Sequence, residues 1–487
     1  MNQASPRVDA VFRYASAADP KDRFSEAVPV GTDQPVPADP VAFPQLPGSL
    51  NALIGPAIGE LEQSPDAFVL RVQAPGRQAD DAATGERVPL PVLVFIPGGG
   101  FLSGAAATRW FTTPSLTEGG PAVVVTLNYR VGALGHLGAA TVEDLEPGEA
   151  AQDSQRPIRD LLLALQWVKR HAAEFGGDPE NITLAGDSAG AWYTYALASH
   201  PQAAGLFRRA AMVSLPYEPP IDHHGLLERR RLMQQALVEH GGLAEAPVRE
   251  ILTAQRGLSR DYAGKGMALM PGAGGLLLAD LHDFDAAAAR LHVQEIALFS
   301  TSEEAAAFLF SAPDEAFPPS AVDGFLGAKF EDPNAAAEWI DAKRPEATSK
   351  QRMIEALTLF QFSLAGLELA HAASEAGKTV HLAGFHVRSG LPGALSPHCM
   401  PLPFLFGDRN QWADAPMLTG VSDAEFEATS AGVQAWLLGF VRDGQPLGPD
   451  GRILAAFDPQ QPQRWEFRGA SQATAEAPSE SQLRATR

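Results

Sequence analysis

Apolar residues along this chain fall into two kinds of run. Short continuous runs recur at Ala67–Pro75, Val92–Ile96, Ala122–Arg130, Ile182–Ala185, Arg209–Ser214, Leu291–Phe299 and Thr379–Phe385. They read as strands, and those at 92–96 and 122–130 lack the polar alternation of a strand with one wet face, which points to a parallel sheet covered on both sides. Longer runs carry the helical period. Leu161, Leu162, Leu165, Val168 and Ala172 share one face of a helix over Pro157–Phe175, with Pro157 suited to its first turn and Gly176-Gly177-Asp178-Pro179 ending it. Weaker periods predict helices over Leu226–Glu239 and Ala246–Thr253, and a long amphipathic one over Arg352–Ala376.

Strand, helix and strand in alternation predict an α/β fold with a doubly wound sheet. The remaining stretches fit around it. Residues 1–90 form a proline-rich approach, with Gln78–Arg87 a polar hairpin or loop. The stretch before residue 348 reads as loop-rich, and residues 471–487, rich in Ser, Ala, Glu and Thr, are expected to be a disordered tail. The expectation is a single domain over 1–470 with helical insertions at about 216–290 and 305–375.

Two stretches carry chemistry. The run Ile182-Thr183-Leu184-Ala185 leads into Gly186-Asp187-Ser188-Ala189-Gly190, and a helix pattern follows at once. A strand that turns sharply into a helix lifts a serine hydroxyl clear of the sheet, and only glycine-sized neighbours let strand and helix approach, so Ser188 is a candidate nucleophile. Upstream, Val92–Ile96 runs through Pro97 into Gly98-Gly99-Gly100. Glycines there free backbone N–H groups to face a bound carbonyl oxygen. With the N–H after the serine they would form an oxyanion hole of Gly99, Gly100 and Ala189, each donor worth roughly 2.7–4 kcal/mol. A chance pentad and a plain glycine turn are the bland readings, and the two motifs together weigh against both.

Carboxylates just past the strand at 291–299, in Ser300-Thr301-Ser302-Glu303-Glu304, and His398 in a small-residue loop beyond the last core strand supply the order serine, acid, histidine of an α/β-hydrolase. Asp187 is expected to bond locally. Cys399 reads as a buried thiol, and the adjacent His223-His224 pair as a surface turn, since no acidic or cysteine partner stands at ligand spacing. No metal or organic cofactor is required.

A formal charge of −21 over 487 residues argues against nucleic acid or an anionic membrane as partner. The single cysteine excludes an intrachain disulfide, and neither a signal-peptide pattern nor a continuous apolar run long enough to span a bilayer is seen. A cytoplasmic protein is expected, a periplasmic or secreted one remaining open if a leader has been removed. Its oligomeric state is expected to be monomer or homodimer.

The chain resembles the type-B carboxylesterases, the group of para-nitrobenzyl esterases, liver carboxylesterases and cholinesterases. Gly186-Asp187-Ser188-Ala189-Gly190 is similar to the family's Gly-Glu-Ser-Ala-Gly, with Asp187 for Glu. Asn128-Tyr129-Arg130, Trp167-Val168, Phe175–Pro179, Gly205–Ala210, Gly393-Ala394 with His398, and Trp436–Gly444 resemble further family blocks. The resemblance implies an α/β-hydrolase fold, with a large twisted, mostly parallel sheet, helices on both faces, and insertions around an active-site gorge. It implies hydrolysis of a small-molecule ester by a Ser188-His398-Glu304 triad, although a one-residue gap makes Glu303 the alternative acid.

Departures are Pro97 where the family has His or Tyr, the missing N-terminal cysteine, and Pro401-Leu402-Pro403-Phe404 for Glu-Leu-Pro-Tyr. Phe101, Tyr217, Phe308 and Phe404 lie in segments that the resemblance places around the gorge, and are expected to bind substrate. An amidase, thioesterase or specialised detoxifying esterase on the same triad, or an adhesion-type binding module, are the other readings.

Overall fold

In the computed structural model the described residues are 7–75, 88–117, 122–146 and 148–476. The polar loop expected at 78–87 lies outside them. The chain divides into two compact units, the first holding 1–48, 56–210 and 218–293, the second 49–55, 211–217 and 294–487.

In the first unit the longer strands are β1 (Val8–Arg13), β2 (Val69–Ala74), β3 (Leu90–Ile96), β4 (Val123–Leu127) and β5 (Gly177–Asp187). Their order is β1-β2-β4-β3-β5. β3 pairs in parallel with both β4 and β5, while β2 is antiparallel to β1 and β4. Val92 to Ile96 and Val123 to Leu127 are buried on both faces, as their unbroken apolar runs require. α1 (Arg156–His171) and a short 3₁₀ turn to Phe175 fill the expected crossover into β5. α2 (Ala189–Ala198) follows β5, and α3 (His223–Ala236) and α4 (Val248–Asp261) make the first insertion. His223 and His224 are the first residues of α3, capped by the Asp222 carboxylate on Gly225 N–H, and not a surface turn. Asp222 is a favoured cap, so the helix starts earlier than its apolar period shows.

In the second unit Ala211–Val213, the end of β6 (Arg209–Val213), lies beside β7 (Glu295–Thr301). β7, β8 (Thr379–Phe385) and β9 (Gln463–Arg468) are parallel, and β10 (Ser471–Glu476) turns back antiparallel on β9. The tail expected to be disordered from 471 is therefore strand as far as Glu476, because a hairpin edge needs few apolar residues; residues 477–487 lie outside the described ones.

The stretch expected to be loop-rich holds α5 (Pro319–Lys329) and α6 (Pro333–Lys343). Both begin with proline at the first helical position, where its missing N–H is harmless. Next comes the long helix Ser349–Glu375 (α7), opened by a Thr348/Gln351 capping box. It is long and apolar enough to cross a membrane by length and composition, but 67% of its most apolar window is buried inside the fold.

Candidate active site

The candidate nucleophile and the glycine loop both belong to the first unit. β5 ends at Asp187, Ser188 takes φ 54° and ψ −123°, and α2 begins at Ala189. That backbone is disfavoured for a residue with a Cβ, by about 1–3 kcal/mol. It persists because the flanks close tightly around it: a Cβ on Gly190 would run into the Ile96 carbonyl, and one on Gly186 into the backbone of Gly190.

The glycine loop is held from beneath. Asp187 Oδ1 accepts the Gly98 N–H at 2.9 Å, which is the local bond expected of that carboxylate. Tyr129, wholly buried, donates its hydroxyl to the Pro97 carbonyl at 2.6 Å. Gly99 and Gly100 both have positive φ, 133° and 61°. The Gly99 carbonyl is engaged by the N–H groups of Leu102 and Ser103, at 3.1 and 3.2 Å. Gln45 spans the far end of the loop, accepting from Gly104 N at 2.8 Å and donating to Gly104 O at 3.1 Å. Its role was invisible in the sequence, where nothing marks a glutamine 59 residues from the chain it fastens.

Phe101 departs from expectation. It is 1% exposed, and its ring stands edge-on to Trp192 and Tyr193 at 5.5 Å each, so it is core under the loop and not a substrate contact.

The second unit supplies an acid and a base. Glu304 and His398 are both buried, and Glu304 Oε2 lies 2.6 Å from His398 Nδ1. A carboxylate only accepts, so Nδ1 carries the hydrogen and the neutral ring keeps its lone pair on Nε2. Nε2 makes no hydrogen bond among the described residues. The other Glu304 oxygen accepts from Ser214 Oγ at 2.6 Å and from Thr301 N–H at 2.7 Å. Ser214, at the end of β6 with φ 54°, was not singled out in the sequence; its only signal is a polar residue closing an apolar strand.

Glu303 turns the other way. Its Oε1 accepts from Arg344 and Arg388 at 2.6 Å each, and its Oε2 from Ser302 Oγ at 2.7 Å and Ser396 N at 3.2 Å. The structure thus brings Glu304, not Glu303, to the imidazole.

Burial alone would push the His398 pKa down, but the neighbouring Cys399 and the Glu304 carboxylate more than offset it and hold it well above the ordinary histidine value. Cys399 is buried, as expected. Two aromatic rings flank the imidazole, Phe362 at 5.0 Å and Phe308 at 5.5 Å. Phe308 is half-exposed. Tyr217 is partly buried with its ring against Phe360. Phe404 is fully buried between Phe385 and Phe426, so the substrate role expected of it is corrected to core packing. An apolar residue type cannot say whether it faces a gorge or a core.

Residues 12–483 match the model of the Carboxylesterase family. The probable N-octanoylanthranilate hydrolase AqdA2 of Rhodococcus erythropolis is 30% identical over 425 residues, 84% of this chain and 83% of that relative. Phenmedipham hydrolase of Pseudarthrobacter oxydans is 29% identical over 384 residues, 73% of this chain and 71% of the relative. The solved carboxylesterase EST55 of Geobacillus stearothermophilus matches with a TM-score of 0.77 at 24% identity, across 98% of this chain and 96% of that one. That likeness gives the fold expected from the sequence, an α/β-hydrolase with a large, mostly parallel sheet and helices around it.

Proposed function

This chain belongs to the carboxylesterase family and is a serine carboxylic-ester hydrolase, and from that premise we propose that Ser188, His398 and Glu304 form its catalytic triad, with the backbone N–H groups of Gly99, Gly100 and Ala189 as oxyanion hole. His398 Nε2 takes the proton of Ser188 as the serine oxygen attacks the ester carbon. Glu304 fixes the tautomer through Nδ1 and stabilises the imidazolium that forms. The negative charge that develops on the carbonyl oxygen is taken up by the proposed backbone donors. The proton then passes from Nε2 to the leaving oxygen and the alcohol departs. Water, deprotonated by the same nitrogen, hydrolyses the acyl-enzyme. No cofactor enters the sequence of steps.

The observation that carries this reading is the 2.6 Å bond between His398 Nδ1 and Glu304, which leaves Nε2 free of any partner among the described residues. Hydrolysis of a chromogenic short-chain ester tests it. Ser188→Ala is expected to lower kcat by about 10⁴-fold or more, and equal rates in the two proteins would remove the assignment.

A second reading, cleavage of N-acylated aromatic amines on the same triad, is favoured by one finding: the Rhodococcus relative that spans most of this chain is described as a probable hydrolase of N-octanoylanthranilate. Assaying an anilide beside the ester of the same acid separates the two, since a true amidase retains a sizeable fraction of its ester kcat/KM on the anilide.

A further inference from the structure

Sulfur in this chain is almost all out of reach of solvent. The one thiol, Cys399, is buried. Met212, Met233, Met270, Met353, Met400 and Met417 are buried as well, and Met1 lies outside the described residues. Among the described residues that leaves Met267 as the one methionine that is partly exposed.

Its place is set by its neighbours. Ala263-Gly264-Lys265-Gly266 before it are exposed, and Ala268-Leu269-Met270 after it are buried. Ala268 and Leu269 join an apolar cluster on which Leu102, from the glycine loop, also packs. Arg229 of α3 fastens the junction. Its Nε donates to the Ala268 carbonyl and its Nη2 to the Met267 carbonyl, both at 2.9 Å, and its guanidinium lies over the Tyr262 ring at 4.0 Å.

The thioether is thereby held against the glycine loop. Met267 Cε stands 3.5 Å from the position that a Cβ on Gly100 would take. Gly99 is exposed and Gly100 half-buried, so the loop itself meets solvent. Leucine would pack as well at such a half-exposed place, and what sulfur adds there is its capacity to be oxidised.

We propose that Met267 is an oxidation site, taking an oxygen atom from hydrogen peroxide, and that its sulfoxide reversibly lowers turnover by disabling the glycine loop. The proposal rests on the reading above of Gly99 and Gly100 as oxyanion donors. In the step, one peroxide oxygen bonds to Sδ as the O–O bond breaks. The sulfur gives up two electrons, and the other oxygen leaves as water. The apolar thioether becomes a polar sulfoxide, with a strong acceptor on the atom next to Cε. That oxygen competes with the ester carbonyl for the loop N–H groups. Displacing it costs the substrate about one hydrogen bond, or roughly three- to tenfold in kcat/KM. Methionine sulfoxide reductases, one for each sulfoxide epimer, reverse the change.

The test treats the whole protein with graded hydrogen peroxide and follows mass and rate together. The first added oxygen is expected on the tryptic peptide Gly266–Arg290, where fragmentation assigns it to Met267 and not to Met270. In step with it, kcat/KM for a chromogenic short-chain ester is expected to fall roughly three- to tenfold. Both reductases with a thiol are expected to restore mass and rate. Met267→Leu keeps an apolar side chain of similar size that peroxide does not oxidise, and is expected to hold its own untreated rate at the same dose. A first oxygen on another methionine, an equal fall in Met267→Leu, or full oxidation at Met267 with an unchanged rate overturns the proposal. Where the leucine variant folds poorly, the reductases decide: recovery of mass without recovery of rate also overturns it. Ser188→Ala run in parallel separates the two ideas. Wild-type rates in that variant remove the acyl-transfer reading, whereas activity lost there but untouched by oxidation at Met267 refutes the oxidation site alone.

Discussion

Adjacent carboxylates of the same type, Glu303 and Glu304, are given different tasks by their partners. Glu304 accepts from His398, Ser214 and Thr301, whereas Glu303 accepts from two arginines, a serine and the Ser396 backbone. Glu304→Gln is therefore expected to lower kcat/KM by about 10³–10⁴-fold, because an amide both loses the charge that stabilises imidazolium and can favour the wrong tautomer. Glu303→Gln leaves Arg344 with Glu355 alone and removes the carboxylate that Arg388 meets, and is expected to act on thermal stability, by about 1–3 kcal/mol, with a much smaller rate effect. Comparing Tm and kcat/KM in both variants checks this, and the reverse pattern would exchange their roles. A raised His398 pKa has its own consequence: the base must be neutral, so the acid limb of kcat/KM is expected to lie above pH 6.5 and to move down in Glu304→Gln. At this scale the sequence exposed Ser188, His398 and the acidic pair, because each sits in a short motif. Ser214 and Gln45 stayed hidden, since their partners are remote in the chain. Phe101 and Phe404 were misread because composition does not reveal which way a side chain faces.

Elements were legible where a single physical pressure shapes them. Parallel strands buried on both faces leave unbroken apolar runs, and α1 shows its period because one side packs on the sheet. α5 and α6 were lost to their opening prolines, which break a helix only inside it. The π turn at Leu359–Ser363 in α7 has no composition to announce it. The strand-turn-helix at Ser188 is the element on which the proposed chemistry depends, and its tolerance is small. A methyl group on Gly190 would press on the carbonyl of Ile96 at the end of β3. Gly190→Ala is therefore expected to destabilise the protein by about 1–3 kcal/mol and to lower kcat well beyond any loss in KM, by spreading β3 and its glycine loop away from α2. Chemical denaturation with steady-state kinetics on the same preparation measures both, and wild-type values for each would mean the approach is looser than it stands here.

On the scale of the whole molecule, each unit buries a histidine that carries no charge at neutral pH. His136 in the first unit and His381 in the second are both pushed down to about 4 by burial. His136 Nδ1 bonds the Ser154 carbonyl at 2.7 Å, and His381 lies beside Phe440 within β8. A folded-state pKa below the unfolded one means the unfolded chain binds more protons between the two values, so stability falls as pH drops from the ordinary histidine value of 6.5 towards 4. Each site contributes up to about 3 kcal/mol to this loss, at roughly 1.4 kcal/mol per pH unit. His398 works with the opposite sign. Its raised pKa favours the folded state at low pH, and that contribution fades as pH rises through the folded value. Glu466, brought down to about 2 against desolvation by His386 and Arg464, keeps its own contribution above its ordinary value of 4.5 and loses it as pH falls from there towards 2. The thermal midpoint of the wild type is therefore expected to fall between pH 6.5 and 4.5, before carboxylate protonation takes over. His136→Asn, which keeps a donor for Ser154 but cannot titrate, is expected to flatten that fall while lowering the midpoint at pH 7.5 only modestly. Parallel slopes in wild type and variant would show that the acid sensitivity comes from elsewhere, and would count against a neutral, buried imidazole at His136.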